Sequence, residues 1–104
     1  MQRGEVWWAD LPKPVGRRPV LILSRDRAVQ VRESVTIAEI TRTIRDIPVE
    51  VPLGPEDDLP KKCVVNLDVI NTIPKKLLTT RITMLSQAKL QAVETALRFA
   101  LGLA

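Results

Sequence analysis

Apolar and polar positions trade places along this chain at short intervals, and the period changes only near the end. Glu5 to Asp10 alternates, with Val6, Trp8 and then Leu11 assigned to one side, which predicts a first strand. The nine residues Leu11 to Pro19 hold three prolines and a glycine, the composition of a loop. Val20-Leu21-Ile22-Leu23 is a continuous apolar run, short and β-branched, and reads as a buried strand. Ser24 to Ser34 is charged and reads as irregular. Val35 to Thr41 is rich in β-formers and predicts a third strand. After a basic connection, Arg42 to Asp46, Val49 to Leu53 alternates again. Pro52 has no N–H to give a ladder, so that strand belongs at a sheet edge.

Gly54 to Lys62 is a polar, proline-bounded loop. Cys63 to Leu67 and Arg81 to Leu85 complete a set of six predicted strands, with a helical turn expected between Ile73 and Leu78. The period then becomes helical. Ser86 is a suitable N-cap, Leu90, Val93, Leu97 and Leu101 recur at spacings of three and four, and Gly102 falls where a terminating glycine belongs. That stripe is expected to pack on the sheet, leaving Lys89, Gln91, Glu94 and Arg98 to solvent. Many short strands, proline-rich turns and one terminal helix predict a mainly β protein, a small and strongly curved barrel carrying a C-terminal helix.

Length adds that 104 residues make one domain, 1–104, with no internal repeat. An apolar fraction of 45% supports a core without disulfides or a structural metal. Cys63 is the only cysteine, which fits a reducing compartment. No stretch approaches the roughly 18 apolar residues of a membrane helix, and the first residues carry no signal-peptide pattern. The expectation is a soluble, cytoplasmic protein.

Charge changes the picture more. The net charge is +4, and between Lys13 and Arg45 stand eight cations against Asp26, Glu33 and Glu39. Seven of the eight are arginines, whose planar fork matches phosphate oxygens and stacks on bases. A polyanionic partner follows, set against the plainer reading of an ordinary solvated surface. The chain has no histidine and no tyrosine. Serine–histidine and cysteine–histidine catalysis are thereby excluded, and a transition-metal site is not expected. Any enzyme here works through arginine, lysine, carboxylates, hydroxyls or backbone groups.

Five blocks, taken in order, resemble a known family. Arg3-Gly4-Glu5-Val6-Trp7-Trp8-Ala9-Asp10-Leu11 is similar to the opening of the MazF/PemK toxins. Gly16-Arg17-Arg18-Pro19-Val20-Leu21-Ile22-Leu23 resembles their second block, and Ala38-Glu39-Ile40-Thr41 the strand end that follows it. Val64-Val65-Asn66-Leu67-Asp68 with Ile73-Pro74, and Ala96-Leu97 to Gly102-Leu103, resemble the remaining two. The resemblance implies an SH3-like barrel with a C-terminal helix, shared with CcdB-type gyrase inhibitors. It also implies a homodimer that cuts single-stranded RNA at short sequences and is neutralised by a MazE-like antitoxin. Carried over residue by residue, it places the catalytic pair on Arg18 and Thr41, and RNA contacts on Arg17, Gly16 and Asn66. It implies no metal and no cofactor.

The chemistry makes sense of that pair. RNA carries its own nucleophile, the 2′-hydroxyl, so a protein need only align it, stabilise the extra negative charge and help the 5′-oxygen depart. A guanidinium suits the first two tasks, and a hydroxyl adds a donor. Arginine stays charged at neutral pH, so Arg18 is assigned chiefly to charge stabilisation. Trp7 and Trp8 face opposite sides of a strand, one toward core and the other toward base stacking or a dimer interface. Glu56-Asp57-Asp58 is a loop run that attracts a cation or is simply solvated, and Cys63 reads as a small buried apolar group. The Leu11–Arg17 loop is shorter than in many members of the family, which leaves cutting specificity open. Two other readings remain at this stage: a gyrase poison on the same barrel, and a non-catalytic RNA-binding barrel. The first depends on an aromatic C-terminus, whereas this chain ends Leu101-Gly102-Leu103-Ala104.

Overall fold

The computed structural model describes residues 1–103. Six strands and two helices follow in the order β1 Glu5–Asp10, β2 Arg17–Ile22, α1 Asp26–Val31, β3 Ser34–Thr41, β4 Glu50–Leu53, β5 Cys63–Pro74, β6 Leu78–Met84 and α2 Gln87–Leu101. The strands form one antiparallel sheet ordered β4-β5-β3-β2-β1-β6. It curls into a half-barrel, with α2 packed across β5 and β4. The mainly β expectation with a C-terminal helix holds, and β4 with its exposed Pro52 is an edge strand as its proline requires.

Alternation along each strand divides the buried residues between two cores. Val6, Leu21, Ile40, Val65 and Leu67 face the helix, where Val93 and Ala96 meet them. Ala9, Val20, Ile22, Ile37 and Ile73 face the other way and are covered by Val29 of α1. Leu11, one residue past β1, packs with Trp7 and Ala9 rather than with Val6 and Trp8, because it continues the face of the odd-numbered residues. The helix is capped as its sequence indicates. Ser86 Oγ accepts the Lys89 N–H at 3.2 Å, and Gly102 at φ +69° lets the chain turn back.

The structure departs from the expected elements in five places. β2 begins at Arg17, three residues before Val20, because the Leu11 N–H reaches the Gly16 carbonyl at 3.1 Å and closes a tight turn. Ser24 to Ser34, read as irregular, contains α1, whose Ala28 and Val29 are buried while its charges face water. β5 runs on from Leu67 to Pro74: the ladder to β3 pairs Glu39 with Asn66 and then Ala38 with Ile70, so Leu67, Asp68 and Val69 bulge out between them. β6 spans Leu78–Met84 instead of Arg81–Leu85, and the turn before it is a 3-10 turn at Lys75–Leu77. Finally, Leu101 does not extend the apolar stripe of α2, since it is 52% exposed and lies beyond the sheet.

Candidate functional site

Where β2 and β3 leave the sheet, a cavity of about 380 Å³ opens beside the segment before β5. Trp8, Pro19, Ile40, Leu59 and Cys63 supply its apolar lining, and Arg17, Arg18, Arg42 and Lys61 supply four cations. None of the lining residues is acidic, and Thr41 is among them. A half-apolar hollow with convergent positive charge takes a phosphate and a flat ring together.

Local folding explains each position. Gly16 adopts φ +69°, a conformation that side chains disfavour, and so lets the chain enter β2 directly at Arg17. Nothing lies within 4 Å of where a Cβ would sit, so the constraint there is conformational rather than steric. Arg17 is exposed and stacks its guanidinium over Trp8, 4.8 Å from the ring centroid. Trp7, on the other face, packs against the second core and donates its indole N–H to Glu5 at 3.2 Å. Of the two tryptophans, Trp8 is therefore the one that presents its ring to the cavity.

The β2–β3 ladder pairs Val20 with Glu39. The ladder ends there, and alternation along the two strands puts Arg18 on the side of Val20 and Thr41 on the side of Glu39, all on the face of the second core. Arg18 Nη1 donates to Glu39 Oε1 at 3.0 Å; the Arg18 side chain is 33% exposed and that of Glu39 17%. Thr41 Oγ1 accepts the Thr43 N–H at 3.1 Å, which orients the hydroxyl and leaves its own hydrogen free to donate.

The structure thus gathers Arg17, Arg18 and Thr41 around one cavity, with Gly16 just before them. Asn66 is not part of its lining. Asn66 is buried on β5 between Glu39 and Glu50, and its Oδ1 accepts the Asp68 N–H at 2.9 Å, bracing the bulge. Several side chains were missed by the sequence reading. Lys61 and Arg42 join the cavity from loops with no distinguishing pattern. Glu50 is buried and accepts the Arg45 and Asp46 N–H groups, each at 2.9 Å, so it shapes the connection that carries Arg42. Asp46 sits there at φ +56°.

The acidic run has local uses. Asp57 accepts the Gly54 N–H at 3.0 Å and lies 3.7 Å from Lys89, while Asp58 accepts the Thr83 hydroxyl at 3.1 Å. Cys63 is buried; burial, and then the charges of Asp57 and Glu56, push its thiol up from its ordinary range. It stays a neutral thiol at neutral pH and is a poor nucleophile. Among the described residues, no helix is long and apolar enough to cross a membrane.

A family described as PemK-like, MazF-like toxin of type II toxin–antitoxin system matches residues 2–101. The chain is 39% identical over 99 residues to the probable endoribonuclease MazF5 of Mycobacterium tuberculosis, covering 94% of this chain and 90% of that one. It is 41% identical over 103 residues to the probable endoribonuclease MazF2 of the same species, covering 98% and 99%. Among solved structures, an endoribonuclease in complex with its cognate antitoxin from a mycobacterial species superposes with a TM-score of 0.90 at 35% identity, covering 100% of this chain and 97% of that one.

Proposed function

The chain belongs to the PemK-like, MazF-like toxins of type II toxin–antitoxin systems, an endoribonuclease by that kinship, and on this premise we propose that residues 1–104 act as one toxin domain cutting single-stranded RNA at short sequences. The observation that carries the chemistry is the pairing of Arg18 and Thr41 at one cavity with four cations and no acid in its lining.

In this reading the phosphate seats against Arg18, with Arg17, Arg42 and Lys61 drawing in the flanking backbone. The 2′-hydroxyl attacks its own phosphorus. Arg18 and the Thr41 hydroxyl donate to the oxygens where negative charge builds up, a stabilisation present only at the transition state. The P–O5′ bond breaks, giving a 2′,3′-cyclic phosphate and a 5′-hydroxyl. DNA lacks the nucleophile and is spared. The chemistry enlists no metal and no cofactor. A base slips onto Trp8 in place of Arg17, or lies beside it.

The same premise brings a homodimer, a cytoplasmic place of action and a MazE-like antitoxin as partner. A mycobacterial relative solved with its cognate antitoxin supports the last of these. Cleavage of messenger, ribosomal or transfer RNA then arrests growth.

The test is incubation of the purified protein with a long single-stranded RNA in EDTA, followed by mapping of the ends. Discrete cuts with 5′-hydroxyl ends, abolished by a single 2′-deoxy nucleotide at the cut position, are expected. Intact RNA with folded protein, or 5′-phosphate ends, overturns the reading.

A further inference from the structure

Glu39 has no evident reason to be where it is. It is an acid on an internal strand, mostly buried, two residues from Thr41 and on the same sheet face as the proposed catalytic pair. For binding RNA it is a liability, because a carboxylate beside a phosphate site repels the ligand. Burial adds a desolvation penalty. Some gain offsets both, and the geometry shows which. Among the described residues the Arg18 guanidinium has one hydrogen-bonded partner, Glu39, through Nη1 at 3.0 Å. Arginine sits on a flexible stem, and an unpaired one sweeps a wide cone. Held by one nitrogen, the fork has donors to spare, and Arg18 is among the residues that line the cavity with Thr41, while Glu39 lines a second one.

We propose that Glu39 is the positioning residue of this site: it orients the Arg18 guanidinium before RNA arrives, so that the donors meet the charge of the transition state without rearrangement. The proposal deepens the reading above and rests on Arg18 acting at the scissile phosphate. Preorganisation of this kind raises kcat, because misplacement of a donor by about an ångström lowers the rate by as much as about 10²-fold. It does nothing for affinity. The carboxylate weakens RNA binding slightly, so its role separates the two quantities in opposite directions.

The experiment compares wild type with Glu39→Ala and Glu39→Gln on one RNA that wild type cleaves, measuring single-turnover kcat. Affinity is measured separately on the same RNA carrying a 2′-O-methyl group at the cut position. Expected for Glu39→Ala is a fall in kcat of about 10- to 100-fold, with the affinity for the methylated RNA unchanged or tighter. Glu39→Gln keeps an acceptor for Nη1 and recovers part of the rate. Formate added to Glu39→Ala, which restores a carboxylate in the gap, raises kcat again. A merely structural role predicts no formate rescue. Should Glu39→Ala fail to fold, Glu39→Gln decides: a lower kcat at unchanged affinity supports the role, and an unchanged kcat overturns it. A faster Glu39→Ala, or loss of RNA affinity in place of kcat, also overturns it. Wild type that leaves RNA intact sinks the underlying reading instead, which keeps the two failures apart.

Discussion

Two arginine–glutamate pairs tie neighbouring strands of this sheet: Arg18–Glu39 joins β2 to β3, and Arg81–Glu5 joins β6 to β1. Their surroundings differ. Glu5 accepts Arg81 Nε at 2.6 Å, the Gln2 N–H at 2.8 Å and the Trp7 indole N–H at 3.2 Å, with the terminal amine 3.8 Å away. Burial opposes the charge on Glu5, yet these donors together outweigh it and hold the carboxyl below its ordinary value of 4.5. Arg81, its main partner, is half exposed and does not line the cavity beside Arg18. In the other pair the weight is reversed. Among the described residues Glu39 serves one donor, and Arg18 is the member that lines the cation-rich cavity with Thr41, Glu39 lining a second one beside Ile37 and Ile73. The lesson is that an ion pair's role follows from which partner is saturated. A saturated carboxylate anchors the chain, and an arginine with donors to spare is available for a ligand.

That contrast can be broken in several ways. Arg18 itself apart, the largest effect is expected at Thr41. Thr41→Val keeps the shape and removes the donor, and should lower kcat by about 10²-fold with the melting temperature unmoved; a rate near wild type removes Thr41 from the chemistry. Glu5→Gln should do the opposite. It leaves RNA cleavage by the folded protein intact and lowers stability by about 1–3 kcal/mol, read from urea unfolding. The same carboxyl carries a pH signature. Its folded pKa lies below the unfolded one, so its contribution is complete above about pH 4.5 and is lost as the pH falls through the folded value. Acid unfolding of Glu5→Gln should therefore be shallower than that of wild type over that window. A weaker effect is expected at Arg17. Arg17→Ala should reduce RNA affinity modestly and lower the salt slope of binding by about 0.7, since one phosphate contact is lost. An unchanged slope would leave Arg17 as a cover for Trp8 and nothing more.

Much of this arrangement was legible from the chain. Alternation, the edge proline and the capped terminal helix identified the sheet and its cover, because each is a local signal. Arg18 and Thr41 were legible only through the family resemblance; as residue types in a basic protein they say little. The strand bounds were harder. Asp68 and Asn71 have low β-propensity, and only the tertiary ladder to β3 carries β5 past them. Leu101 keeps the helical period but lies past the sheet it would pack on, which no period reveals. Glu39 escaped for a related reason. Its meaning lies in the register that brings it diagonally across from Arg18, and register is a property of two strands together.

The most direct test sets the two arginines side by side. Arg18→Ala and Arg81→Ala are each measured for RNA cleavage in EDTA and for urea unfolding. Arg18→Ala should fold but lose cleavage by about 10³-fold, while Arg81→Ala should cut RNA normally and unfold at lower urea. Cleavage by Arg18→Ala at the wild-type rate, or its loss in Arg81→Ala while the fold is intact, would contradict the assignment of the cavity beside Arg18 as the place where RNA is cut.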